Sequence, residues 1–311
     1  MLHLTDEIIA QLLDLASVQK VVWRAFADLG RGEAATTQRV RATAPSGMAS
    51  AMAAVVPPYS GGKVYATKDG QFTFVNVLFD LDGKFLCTLD GDVLTRFRTP
   101  AGCSLAIREM APERVESAAV VGAGKQGWYH LEMLWHELPQ LKEIRIADAR
   151  REAADSIAAR ARDLGIPAVA VATPTDAVRN ADVVLTITPS NTPLFAADAI
   201  SDNALVCGVG ATKYDRCELP TELVARCAAV VCDDAIGSRV ECGDLIHAVK
   251  AGHFDWSRAI ELSAVAAGAV KVPRGGNGPV LFETQGVALQ DVAAAGLAWE
   301  RYQERKNEGK I

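Results

Sequence analysis

Val18, Val21, Val22, Ala25, Phe26 and Leu29 recur at three- and four-residue intervals, the spacing of one helix face. Ser17 precedes the run and predicts its N-cap; Thr5 predicts the cap of a shorter helix over 6–13. The period then shortens. Strand-like segments near 38–44, 52–56, 62–67, 72–80 and 84–90 follow, with Asp82-Gly83 turning a hairpin between the last two. A helix is predicted from Thr95 to Met110, with Pro100 accommodated in its first turn.

From Val115 the pattern becomes an alternation of strand and helix. Short, continuous apolar runs at 117–121, 144–148, 168–172, 182–188, 204–208 and 228–232 are separated by helical stretches. Such runs suit a parallel sheet covered on both faces. The expected class is α/β: a Rossmann-type doubly wound parallel sheet over 115–285, preceded by an α+β domain over 1–114. A last amphipathic helix follows, from Gly286 to about Arg305.

The most specific motif is Gly122-Ala123-Gly124-Lys125-Gln126-Gly127. It follows an apolar strand, opens a helical stretch at Trp128 and leads to a second strand ending in Asp148. That context makes it a dinucleotide fingerprint. Gly122 permits the turn, Gly124 lets backbone approach a pyrophosphate, and Gly127 lets helix and strand pack closely. The phosphates then meet free N–H groups at a helix N-terminus, where Lys125 and Gln126 also stand. Asp148, about 20 residues past the loop, accepts from ribose hydroxyls and repels a 2′-phosphate, favouring NAD(H). Arg150 and Arg151 keep NADP(H) open as the alternative; their plainer role is a solvated helix start.

Composition narrows the partners. A formal charge of −6 and a pI near 5.5 argue against nucleic acid or an anionic membrane. No apolar run reaches the roughly 20 residues that span a bilayer. The N-terminus lacks the basic start and apolar stretch of a secretory signal. Seven cysteines without a CxxC pair fit a reducing cytoplasm, and five scattered histidines offer no metal cluster.

Cations in the first domain are the second chemical signal. Arg39 and Arg41 flank one residue of a predicted strand and so share a face; Lys63 follows Gly61-Gly62; Arg98 lies near a helix start. Together they can clamp a carboxylate, arginine bidentately and lysine as a point charge. For each alone a surface ion pair is the commoner role.

The chain resembles the ornithine cyclodeaminase/mu-crystallin family of NAD(P)-dependent imine and amino-acid oxidoreductases. The resemblance runs nearly full length. It is carried by Val40-Arg41, Pro57-Pro58-Tyr59, Lys63, Asp90-Gly91 with Leu94-Thr95 and Arg98-Thr99, and the 122–127 glycine block. Further carriers are Thr186-Ile187-Thr188, the 208–211 turn with Glu218-Leu219, the 241–244 segment and the 286–291 segment. It implies that Arg41, Lys63 and Arg98 hold the substrate carboxylate, and that Thr99, Thr186 and Thr188 attend the cofactor. It also implies a homodimer built through the first domain, to which the last helix returns. Asp291 then either lines the pocket or simply favours the helix dipole.

Two departures stand out. Where cyclodeaminases carry an acid/base aspartate this chain has Thr212, as ketimine reductases have a small hydroxyl residue. The 63–74 segment lacks the usual proline-glycine-asparagine loop and is shortened. The expected activity is therefore NAD(P)-dependent chemistry on the C=N or CH–NH bond of a small imino or amino acid. Lys63 serves either as proton source or as a third carboxylate contact. An ornithine or lysine cyclodeaminase using bound NAD is the alternative, and a non-catalytic dinucleotide-binding protein a minor one.

Overall fold

A computed structural model describes residues 2–68 and 71–310. The chain forms two compact units. One comprises the chain up to Gly102, Ala266–Ala269 and the chain from Gly286; the other comprises Cys103–Val265 and Val270–Gln285.

The first unit is built on a seven-stranded sheet. Its strands run in the order His3–Leu4, Phe85–Asp90, Gln71–Asp80, Tyr59–Lys68, Gly47–Val56 and Ala35–Thr36, with Val40–Ala44 also paired to Gly47–Val56. All pairs are antiparallel except the first. Strand pairing aligns Met52, Lys63, Asn76 and Leu89 across four strands, and Ser50, Tyr65 and Phe74 two residues along, with Arg41 opposite Ser50. Because side chains alternate across a strand, these rows share one face, and that face is buried. The helix Ala288–Asn307 packs on it and on the helix Leu15–Gly30.

The opposite face carries Val40, Val64 and Val75, exposed by 65%, 53% and 39%. The 63–74 segment is a hairpin, Tyr59–Lys68 against Gln71–Asp80; positions 69 and 70 lie outside the described residues.

Three local expectations are corrected. The N-cap of Leu15–Gly30 is Asp14, whose carboxylate accepts the Ser17 N–H at 2.9 Å, so Ser17 lies inside the helix. Thr5 stands at the N-cap of Asp6–Leu12 without a side-chain capping bond. The third helix spans Asp92–Met110, which puts Pro100 in its interior. It starts early because Asp6 Oδ1, from the first helix, accepts the Val93 N–H at 2.9 Å. The side chain of Asp6 thus satisfies a first-turn donor of this helix.

The second unit is an eight-stranded parallel sheet. Its order is Ala168–Ala170, Glu143–Ala147, Ser117–Val121, Val183–Thr186, Leu205–Gly208, Val280–Glu283, Ala229–Cys232 and Ala259–Glu261. The first five reproduce the doubly wound order, with the topological switch between Ser117–Val121 and Val183–Thr186. The central runs are buried at every position, as strands covered on both faces must be. The sequence reading did not anticipate Val280–Glu283, inserted between two expected strands, or the edge strand Ala259–Glu261.

Candidate active site

At the switch point of the second unit, Gly122 closes the first strand with φ +113, a conformation that favours glycine. A Cβ there would lie 2.4 Å from the Ile187 carbonyl oxygen, and one at Gly127 would lie 2.0 Å from the Gly122 oxygen. The two glycines therefore let the turn, the next helix and the Ile187 loop close on one another. Around Gly124, by contrast, a Cβ meets nothing within 4 Å. Gly124 is also the N-cap of the helix Lys125–Glu137 and brings no side-chain acceptor to its first turn. This open, uncapped helix start suits a pyrophosphate.

Asp148 follows the second strand. One oxygen accepts the Ala123 N–H at 2.7 Å and the other the Arg150 N–H at 2.8 Å. It thereby braces the glycine turn. The Arg150 side chain is largely exposed, its Nε 3.8 Å from Asp148. Arg151 is engaged with Asp155 at 3.0 Å, a surface helix pair.

Thr186 and Thr188 cluster on an unexpected residue. The Glu218 carboxylate, fully buried, accepts from the Thr186 hydroxyl (3.0 Å), the Thr188 hydroxyl (2.7 Å), the Thr188 N–H (2.6 Å) and the Gly210 N–H (2.7 Å). Each threonine hydroxyl has one proton and has given it to Glu218. Thr186 is fully buried and its hydroxyl is turned onto that carboxylate. Thr212, half-buried, turns its backbone N–H onto the Gly210 oxygen at 2.8 Å.

The first unit gathers the cations. Lys63 and Arg98 are 1% and 7% exposed and both contact Asp291 Oδ1 at 3.2 Å. Lys63 Nζ also donates to the Thr95 hydroxyl at 2.8 Å and lies 4.2 Å from the Phe74 ring centre. Arg98 Nη1 donates to Gln290 Oε1 at 3.1 Å. Gly286 makes room for that guanidinium, since a Cβ there would stand 2.7 Å from Nη1. Burial pushes the Lys63 ammonium down to about 8; Asp291 acts to raise it, while Arg98 and Arg39 lower it. Arg39 shares the face of Arg41 and donates to the Gly286 carbonyl at 2.8 Å. Arg41 is half-buried beside it. Thr99 spends its hydroxyl on the Thr95 carbonyl, 2.8 Å within its own helix.

Two buried atoms of this cluster, Asp291 Oδ2 and Gln290 Nε2, have no hydrogen-bond partner among the described residues. An unpaired buried polar group costs about 1–3 kcal/mol, which a ligand can recover. Gln290, Thr95 and Glu218 were not assigned roles from sequence. The signal for Glu218 was an acid set between Cys217 and Leu219-Pro220, an apolar stretch where a charge needs partners.

Among the described residues no group of three or more His, Cys, Asp or Glu is placed to hold a metal, and no helix is long and apolar enough to cross a membrane.

A sequence model of the ornithine cyclodeaminase/mu-crystallin family matches residues 2–306. A Delta(1)-pyrroline-2-carboxylate reductase of Burkholderia ambifaria is 32% identical over 310 residues, covering 96% of this chain and 94% of that protein. Among solved structures, a probable ornithine cyclodeaminase from Bordetella pertussis superposes with a TM-score of 0.92 at 36% identity, covering 99% of this chain and 98% of that one. The Thermococcus litoralis Delta(1)-pyrroline-2-carboxylate reductase, in complex with NADH and L-proline, gives 0.92 at 25% identity and 98% of each chain.

Proposed function

The chain belongs to the ornithine cyclodeaminase/mu-crystallin family, and from that premise we propose that it is an NAD(P)-dependent reductase of the C=N bond in a small imino acid. The observation that carries the reading is the sharing of one Asp291 oxygen by two buried cations, Lys63 and Arg98. One carboxylate cannot balance both, and uncompensated buried charge costs several kcal/mol. A substrate carboxylate supplies the missing anion.

Arg98, steadied by Gln290, and Arg41 bind that carboxylate and fix which carbon of the substrate is presented. Lys63 supplies the proton to the imine nitrogen; its depression to about 8 matches a donor working near neutrality. Thr95 and Asp291 aim the ammonium. A nicotinamide cofactor, when bound, supplies the hydride. The uncapped helix at Gly124 and the bracing carboxylate of Asp148 support NAD(H) as the preferred form. Cyclic imines carrying a 2-carboxylate are the leading substrates.

The apolar outer face of the first unit's sheet, bearing Val40, Val64 and Val75, supports a homodimer formed through it. All seven cysteines are buried thiols, which supports a reducing, cytoplasmic setting.

The test is an oxidation screen of NADH and NADPH over cyclic imino acids and over keto acids supplied with ammonia or methylamine. NADH consumption with a cyclic imino acid is the expected result. Ammonia release from ornithine or lysine with bound NAD⁺ and no net NADH would instead make the protein a cyclodeaminase, despite Thr212.

A further inference from the structure

Glu218 draws together two loops that end neighbouring parallel strands. Thr186 and Thr188 end and follow the strand Val183–Thr186; Gly210 follows Leu205–Gly208, and the strands pair residue for residue up to Thr186 and Gly208. One carboxylate oxygen takes both Thr188 donors, the other the Thr186 hydroxyl and the Gly210 N–H. Four donors use the acceptor capacity of a carboxylate in full.

The clasp is itself held. Asp244 Oδ1 accepts the backbone N–H groups of Glu218 (2.7 Å) and Leu219 (3.0 Å), which fixes the chain from which the carboxylate projects. It is also tight: a Cβ on Gly210 would lie 2.7 Å from the Glu218 carboxyl and 2.1 Å from the Thr188 carbonyl oxygen. Between the two threonines, Ile187 presses its carbonyl against the Gly122 turn. The carboxylate therefore sets the position of the crest loops relative to the glycine turn. Strand ends beside a topological switch are where dinucleotides lie in open α/β sheets.

We propose that Glu218 is a positioning residue for hydride transfer: by clasping Thr186, Thr188 and Gly210 it fixes the crest loops that would support the reactive end of a bound dinucleotide. This rests on the reductase reading above. With both oxygens taken by four donors of the chain itself, Glu218 acts through the two loops. The isosteric amide cannot replace it, because an NH₂ group then faces hydroxyl and N–H donors on one side.

The test compares two ligands that differ only at the reactive end. ADP-ribose carries the adenosine and pyrophosphate but no nicotinamide; NADH carries all three. In Glu218→Gln the dissociation constant for ADP-ribose should equal that of the parent protein, while NADH binds about tenfold more weakly. Turnover of the imino acid should fall by about a hundredfold, the cost of a misplaced reacting centre. The KM for the imino acid should change little, and the isotope effect with 4-deuterated NADH should rise as hydride transfer becomes limiting. Thr188→Val, which removes one of the four donors, should shift the same quantities in the same direction by less. It carries the test by itself if Glu218→Gln does not fold.

Equal losses for ADP-ribose and NADH, or no change in either ligand or in turnover, would overturn the proposal. A parent protein that binds NADH yet reduces no imino acid would overturn the reductase reading, while the two-ligand comparison would still decide the role of Glu218.

Discussion

A lysine amine at 1% exposure is a costly residue unless its environment uses it, and at Lys63 three neighbours pull its protonation in opposite directions. Burial and the Arg98 guanidinium favour the neutral amine; Asp291 favours the ammonium. If Lys63 donates the proton, kcat/KM for imine reduction should hold below neutrality and fall as pH rises through about 8, where the free enzyme loses that proton. The neighbours then move this alkaline limb in opposite senses. Arg98→Ala removes a like charge and should shift the limb to higher pH; Asp291→Asn removes the counter-charge and should shift it lower. Lys63→Arg tests that proton donation against a plain carboxylate contact, because arginine keeps the charge but cannot give up a proton. Turnover lowered by about a hundredfold with KM nearly unchanged identifies a proton donor; a raised KM with turnover intact identifies a carboxylate contact. Arg41 and Lys63 lie on strands, Arg39 just before one and Arg98 on a helix, so the spacing of Arg39 and Arg41 hinted at a shared face without showing that the four cations gather. Their counter-ion was less legible still: only folding brings Asp291, near the start of the last helix, to within 3.2 Å of Lys63.

Among the elements, those with a complete local signature were legible and those stabilised from a distance were not. The glycine turn and its helix follow from residues adjacent in sequence, and Gly127→Ala should show how tightly they close. A methyl 2.0 Å from the Gly122 oxygen forces turn and helix apart, so the variant should lower the melting temperature, by an overpacking cost of about 1–3 kcal/mol, and weaken NADH binding. The helix at Asp92 was read three residues late because Asp6, not a local residue, receives the Val93 N–H. Val280–Glu283 escaped notice because three apolar residues and a glutamate mark a strand only when flanking strands offer hydrogen bonds on both sides, as Leu205–Gly208 and Ala229–Cys232 do. The outer face of the first unit's sheet also belongs to this scale. Val64→Asp places a charge at the centre of an apolar surface without touching the buried side, so sedimentation should show a dimer become a monomer while the circular dichroism spectrum is retained.

In the molecule as a whole the two chemical tasks are divided between the units. The parallel sheet offers an uncapped helix start at Gly124 and the Asp148 carboxylate that braces the glycine turn; the first unit's sheet offers buried cations on a face roofed by the last helix. Asp148→Asn should narrow the preference for NADH over NADPH by removing the charge that opposes a 2′-phosphate, measured as the ratio of their kcat/KM values. Sequence motifs pointed to the glycine turn and the cations, but not to the residues that hold them: Glu218, Thr95 and Gln290 bond side chains far from them in the chain. What everything else presupposes is that the buried cations read a carboxylate next to the C=N bond. The direct measurement is the rate of NADH oxidation with a cyclic imine bearing a 2-carboxylate against the same ring without it. The carboxylated imine should be reduced with kcat/KM about a thousandfold higher or more, and the gap should collapse in Arg98→Ala. Equal reduction of both imines by the parent protein would contradict the account.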